Sequence, residues 1–449
     1  MNTPIIDFAK KYALNNSVRL HMPGHKGVNF LGLEAFDLTE IDGADVLYDA
    51  KGVILESQQN ATLLFGSKKT LYSTEGSSLS IRAMVHLVKT FAQSCQKTAK
   101  ILAFRNAHKS FVTATAMANV DVKWLWCAQD GILTCNLDCV QLEKEIVNVC
   151  PTALFVTSPD YLGNLLDVKK IAQICHKHNV LLLVDNAHGA YLKFGDAHPI
   201  DLGADLVCDS AHKTLPALTG SAYLHVGKTA PDFFQQNAQN ALSLYASTSP
   251  SYLILQSLDN VNKILYDNRN YFQTAKTRLW TLKEKLAKVG FSLVGQESLK
   301  LTIAPKSYGY LGGEIAQILQ DNNVFVEFYD KDFVTMMFSA NNEQSHFDLV
   351  GSVLCSLEKR QPIKKTPPVV GVLQQGVSPN QAIFAPSELV SVDDALGKIL
   401  ATPTVSCPPA IPIATCGEIV TQSAIDCFKY YDVKKILVVK CQDSSKVNL

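Results

Sequence analysis

ALFVTSPDYLGNLLDVKKIAQICHKHNVLLLVDNAHGA (153–190) decides the fold. It holds an apolar run, ALFVT (153–157), a helix-like stretch, VKKIAQICHKHN (168–179), and a second apolar run, VLLLVD (180–185). Runs this uniformly apolar suit strands covered on both faces, the environment of a parallel sheet. The alternation continues outward through ILAF (101–104), VKWLW (122–126), DLVCD (205–209) and SAYLHV (221–226), with QLEKEIVNV (141–149) as a further helix. This pattern predicts an α/β fold with a mostly parallel sheet and helices on both faces. A long helical stretch, about Tyr252 to Val289, leads to a second alternation. KLTIAP (300–305), GGEIAQILQDN (312–322) and VFVEFYD (324–330) read as a smaller α/β domain. KRQPIKKTPPVVGV (359–372) has too much proline for a helix and reads as a linker, and VSCPPAIPIATCGE (405–418) reads as an irregular loop. The expected division is an N-terminal arm (1–50), a large domain (51–255), an interdomain helix with the small domain (256–360), and a short C-terminal region (361–449).

The bulk composition narrows the function classes. Of 449 residues, 47% are hydrophobic and 18% charged, enough for a large core. With 41 basic and 41 acidic residues the net charge is zero, which argues against a nucleic-acid partner. The 12 cysteines are scattered and none forms a CxxC pair, so they read as reduced thiols of a cytoplasmic protein and not as a metal site. MNTPIIDFAKKYALNNS (1–17) is amphipathic rather than signal-like, and no apolar run approaches the roughly 20 residues of a membrane span.

Sites in open α/β sheets lie outside the carboxyl ends of the strands. The segments following the apolar runs are RNAHKS (105–110), SPDYLGN (158–164), DNAHGA (185–190) and SAHKT (210–214), while YSTEGSS (72–78) precedes a helical stretch. Lys213 follows an apolar run; a lysine kept from water tends to lose its proton and becomes a nucleophile able to form a Schiff base. STEGSS before a helix has the chemistry of a phosphate cradle, though alone it also reads as a cap and turn. Asp185, at the end of a buried run, needs a partner: a protonated heterocyclic nitrogen, or the following turn. His108 could stack on a flat ring, or be a satisfied polar residue at a strand end. Together these parts match what pyridoxal 5'-phosphate requires: an amine for its aldehyde, a carboxylate for its ring nitrogen, a stacking group and a phosphate cup. No GxGxxG or GxxxxGK[ST] stretch supports a nucleotide-binding alternative.

HMPGHKG (21–27), RNAHKS (105–110), VDNAHGAY (184–191), SAHKTLPALTGSAYLH (210–225), STSPSYLILQSLD (247–259), SPNQAIFAP (378–386) and CPPAIPIATCGE (407–418) run in order along nearly the whole chain. In these stretches the sequence resembles the bacterial ornithine/lysine/arginine decarboxylase family, of aspartate-aminotransferase-like fold. The resemblance implies that Lys213 bonds the cofactor, His108 stacks on it, and Asp185 keeps its ring nitrogen protonated. Gly76, Ser77, Ser78, Ser210 and His212 would hold the phosphate, and His188 would lie near the reacting atoms. Lys213 or His212 would return a proton to Cα. Ser247 and Thr248 would reach a neighbouring subunit's phosphate, which implies a homodimer or higher homo-oligomer. Glu418 would grip the substrate's distal amine or guanidinium. The implied reaction turns arginine, lysine or ornithine into its amine and CO2.

The sequence departs from the family pattern at three points. Asn186 stands where the family has a glutamate (DNAH for DEAH), EGSS places Glu75 beside the cup, and CGE replaces PGE before Glu418. The chain also resembles the short family form, without the extra N-terminal domain and the ring assemblies built on it. After Lys213 only Arg269, Arg278 and Arg360 remain, and none follows a small-domain strand. That disfavours a transaminase-type carboxylate clamp. Transamination, elimination, and cofactor binding without turnover are the rival readings.

Overall fold

The computed structural model describes residues 1–15, 17–126, 138–407 and 411–440. Its centre is a seven-stranded sheet of β1 (Lys69–Ser73), β2 (Lys100–Phe104), β3 (Asp121–Leu125), β4 (Ala153–Thr157), β5 (Leu181–Asp185), β6 (Leu206–Asp209) and β7 (Ala222–Val226). The order is β1-β7-β6-β5-β4-β2-β3. Neighbours from β6 to β3 pair in parallel, and β7 runs antiparallel to both β1 and β6.

The apolar runs are continuous because alternate residues face different cores. Phe155, Leu183 and Cys208 join one buried cluster with helices Gly76–Ser94 and Lys109–Ala118. Leu154, Val156, Leu182, Val184 and Val207 join another with helices Cys139–Val149 and Val168–Lys177. A sheet wetted on one face would show polar residues at every second position. The parallel arrangement brings the carboxyl ends of β1, β2, β4, β5 and β6 to one edge, and the candidate residues follow those ends.

Five details differ from the sequence reading. KTLYS, too short and mixed to stand out, forms β1 and is held by β7. The long helical stretch is two helices, Tyr252–Asp267 and Gln273–Val289. Asn268 ends the first, its Oδ1 accepting from Asn270 N at 3.2 Å, a local turn that competes with helix. The expected boundary after residue 255 therefore falls inside a helix. The small domain's sheet, β8 (Ser292–Val294), β9 (Lys300–Ala304), β10 (Phe328–Tyr329) and β11 (Val334–Met337), is antiparallel in every pairing. Only Phe328–Tyr329 of VFVEFYD is strand, because Asp330 turns the chain: its Oδ1 accepts from Asp332 N and Phe333 N at 2.7 Å each. In the supposed irregular loop Thr404–Cys407 and Ile411–Thr415 pair as antiparallel strands, and 408–410 lie outside the described residues.

In the C-terminal region β12 (Ser387–Ser391) pairs with β15 (Lys435–Val439), and β13 (Thr404–Cys407) pairs antiparallel with β14 (Ile411–Thr415). Its core includes Ile413, Phe428 and Val438 and extends to Leu162 and Phe328, so this region packs on both other domains. Residues 359–372 contain no helix or strand. At the other end of the chain, helix Pro4–Leu14 is fastened through Ile5 N and Ile6 N, which donate to Asp259 Oδ2 at 3.0 and 3.1 Å.

Candidate active site

Lys213 stands in a single helical turn, Ala211–Thr214, directly after β6. Its Nζ lies 3.0 Å from His188 Nε2. Burial pushes the Lys213 amine below its ordinary pKa and Lys300 adds to this, while Asp185 and Glu327 oppose it. Burial, reinforced by Lys213 and Lys300, holds His188 well below the usual histidine range. The pair thus sits where both neutral forms are favoured. The ring of Tyr161, from the segment after β4, meets His188 edge-on at 4.9 Å.

Asp185 is the last residue of β5 and is 3% exposed. Its Oδ1 accepts from Ala187 N at 3.1 Å and faces Cys208 Sγ at 3.5 Å. His108 caps helix Lys109–Ala118, its Nδ1 accepting from Ser110 N at 3.2 Å. Burial lowers the His108 pKa; Asp185 works against that and Lys213 with it.

The cup lies at the start of helix Gly76–Ser94. Ser210 Oγ donates to Ser77 Oγ at 2.7 Å, and Ser78 Oγ lies 2.7 Å from Ser110 Oγ. Gly76 has φ +70°, and a Cβ built on it would meet nothing within 4 Å, so the backbone is open to a ligand there. Glu75 turns its charge aside, accepting from Ser247 N at 2.6 Å. His212 is partly exposed, and its Nδ1 donates to Ser221 O at 2.9 Å. Ser247 and Thr248 are exposed beside the cup of their own chain.

Five buried polar atoms have no hydrogen-bond partner among the described residues and belong to this edge. They are Thr74 Oγ1, Asn106 Oδ1, Thr157 Oγ1, His188 Nδ1 and Thr214 Oγ1. Buried polar atoms without partners are uncommon in folded proteins and point to a missing ligand or water. With an open backbone at a helix N-terminus and a desolvated amine, the donor set fits pyridoxal phosphate.

Glu418 is engaged within the protein. Its two oxygens accept from Arg105 Nη1 and Nη2 at 2.6 and 2.7 Å, and Oε2 also accepts from Thr415 N at 2.8 Å. The residue is 1% exposed, and Arg105 stacks on Trp124 and Trp126 at 5.3 and 4.3 Å. A bidentate fork leaves such a carboxylate little capacity for a substrate cation. Arg105 stood in the quoted RNAHKS, yet nothing local marked it as a partner 313 residues away.

Two further clusters escaped the sequence reading. Lys300 Nζ pairs with Glu297 Oε2 at 2.9 Å and donates to Asp160 O at 3.2 Å, joining small and large domains beneath the site. Behind Asp185, Asp209 Oδ2 accepts from His198 Nε2 and His225 Nε2 at 3.0 Å each. The ligand atoms of these three lie within 4.8 Å of one another. Yet His198 Nδ1 accepts from Ile200 N at 3.2 Å, so its Nε2 bears the proton. The cluster is a hydrogen-bonded network, and its donors are not arranged to bind a metal.

Comparison with known proteins places this geometry in context. The family described as Orn/Lys/Arg decarboxylase, major domain, matches residues 3–290. The chain is 30% identical over 464 residues to an arginine decarboxylase of Bacillus subtilis, spanning 94% of this chain and 92% of that one. It is 29% identical to the uncharacterized protein YaaO of the same organism, spanning 95% and 93%. In fold it is similar to lysine decarboxylase A from Pseudomonas aeruginosa, with TM-score 0.81 at 16% identity, covering 97% of this chain and 80% of that one. Among the described residues, no helix is long and apolar enough to cross a membrane.

Proposed function

The chain belongs to the Orn/Lys/Arg decarboxylase family, and from that premise we propose that it removes the α-carboxylate of arginine, releasing agmatine and CO2, with lysine and ornithine as the competing substrates. The observation carrying this reading is the desolvated Lys213 amine, 3.0 Å from His188, opening into a cavity of about 440 Å³. The choice of arginine leans on the B. subtilis arginine decarboxylase, similar over 94% of this chain.

Bound pyridoxal phosphate supplies a sink for the electron pair left at Cα when CO2 departs. Lys213 would bond its aldehyde, Asp185 would face its ring nitrogen, and His108 would stack on its ring. Gly76, Ser77, Ser78, Ser210 and His212 would hold its phosphate, with Ser247 and Thr248 facing that of a second copy. Keeping Lys213 and His188 neutral favours an amine able to attack and an imidazole able to take a proton from it. Returned to Lys213 Nζ or His212, that proton would then be available for delivery to Cα.

Decarboxylation, as against transamination, is supported by the arginines. Arg269 lies over the Tyr266 ring at 5.1 Å, Arg278 donates to Asn342 O at 3.1 Å, and Arg360 pairs with Glu314 at 3.2 Å. None lines the Lys213 cavity, so no arginine there would hold a departing carboxylate in place. The reading includes a cytoplasmic homodimer: the cysteines described are free thiols, and Ser247 and Thr248 are exposed. Turnover of each basic amino acid by cofactor-loaded protein, with amine and CO2 identified by mass spectrometry, tests it.

A further inference from the structure

With Glu418 held by Arg105, a different carboxylate shares a cavity with the reacting amine. Among the described residues, Glu327 is the one acidic residue lining the cavity beside Lys213. The remaining wall is mixed: Met337 and Phe338 offer apolar surface, and Tyr271 and Asn341 offer polar groups. That is the complement of a basic amino acid, an aliphatic stem ending in a cation.

Glu327 is also held in place. It lies just before β10, its backbone N donating to Thr335 O at 3.1 Å. Tyr161 OH donates to Glu327 Oε1 at 3.2 Å. The same Tyr161 ring abuts His188, which is itself 3.0 Å from Lys213 Nζ. The carboxylate and the amine are thus positioned by one connected set of side chains. Other acidic groups nearby are engaged elsewhere: Asp185 accepts from Ala187 N and is proposed to face the cofactor. Glu297 is 1% exposed and paired with Lys300, and Asp160 accepts from Leu162 N, Asn164 N and Asn164 Nδ2. Glu327, by contrast, is exposed to the solvent that the substrate would displace.

We propose that Glu327 receives the distal cation of the substrate and sets the preference for basic amino acids. This rests on the decarboxylase reading above. Tyr161 is its positioning residue, orienting one oxygen and leaving the carboxylate in the cavity wall.

The test compares wild type, Glu327→Gln and Glu327→Asp, each loaded with pyridoxal phosphate and checked for uptake by visible absorption. Steady-state kinetics on arginine, lysine and ornithine are paired with calorimetric binding of agmatine, cadaverine and putrescine. Glu327→Gln is expected to raise KM for the preferred substrate, and Kd for its amine, at least about tenfold, with kcat and cofactor uptake little changed. Glu327→Asp should recover part of the loss. An active wild type whose KM and amine Kd survive Glu327→Gln within about twofold overturns the assignment, as does a loss confined to kcat. A wild type inactive on all three amino acids overturns the decarboxylase reading itself, and this inference with it.

Discussion

Asn186 Nδ2 donates to Asp209 Oδ1 at 2.6 Å, with both side chains 0% exposed. This contact gives the asparagine at position 186 a buried partner. The negative charge of the region sits on Asp209; burial alone would raise its pKa, but His198 and His225 hold it well below the usual carboxylate range. A second carboxylate at 186 would face the first without water between them. Asn186 directly follows Asp185, the carboxylate proposed to meet the cofactor. Asn186→Asp is expected to destabilise the fold by about 3 kcal/mol at neutral pH. Adding Asp209→Asn should return a good part of that, a coupling that denaturant unfolding of both single variants and the double variant would measure.

The buried pair Arg105–Glu418 ties the segment before His108 to the C-terminal region. Glu418→Gln leaves Arg105 charged and uncompensated, and should cost about 3–5 kcal/mol in unfolding free energy. Thermal melting checks this. A variant of unchanged stability but raised KM would instead mark Glu418 as a substrate ligand.

His188 should make the fold acid-sensitive. Its folded pKa is depressed, so below the unfolded value of about 6.5 the unfolded chain takes up a proton that the folded chain refuses. The stability difference between wild type and His188→Gln should therefore shift against wild type as pH falls from about 7.5 to about 5.5. Denaturant midpoints measured across that range would show it.

Asp259 behaves in the opposite sense. Burial raises its pKa to about 6, although Ser57, Ile6 and Ile5 donate to it. Its contribution is fully present below the unfolded value of about 3.9 and is lost as pH rises through about 6. Asp259→Asn should flatten that dependence. Asp259→Ala should free helix Pro4–Leu14, costing about 1–2 kcal/mol and speeding proteolysis of the first turns.

The large sheet was legible because each strand is buried on both faces and so reads as an unbroken apolar run, as in ALFVT and LLLVD. Lys213, His108 and Asp185 were legible because each follows such a run and a parallel sheet collects those ends on one edge. β1 was not: Lys69–Ser73 is an edge strand whose pairing with β7 depends on residues 149 to 157 positions away. The antiparallel β10–β11 turn depended on one aspartate's side chain binding the backbone, which periodicity does not register. The pairing of Glu418 with Arg105 and the placement of Glu327 in a cavity wall are both tertiary. Each is a glutamate whose role depends on whether an arginine or an open cavity stands beside it.

The most direct measurement incubates cofactor-loaded protein separately with arginine, lysine and ornithine, and identifies amine and CO2 by mass spectrometry. Agmatine and CO2 in equal amounts from arginine, formed faster than cadaverine or putrescine from the others and abolished by Lys213→Ala, is the result this account requires. Cofactor bound through Lys213, with no CO2 released from any of the three, would contradict it.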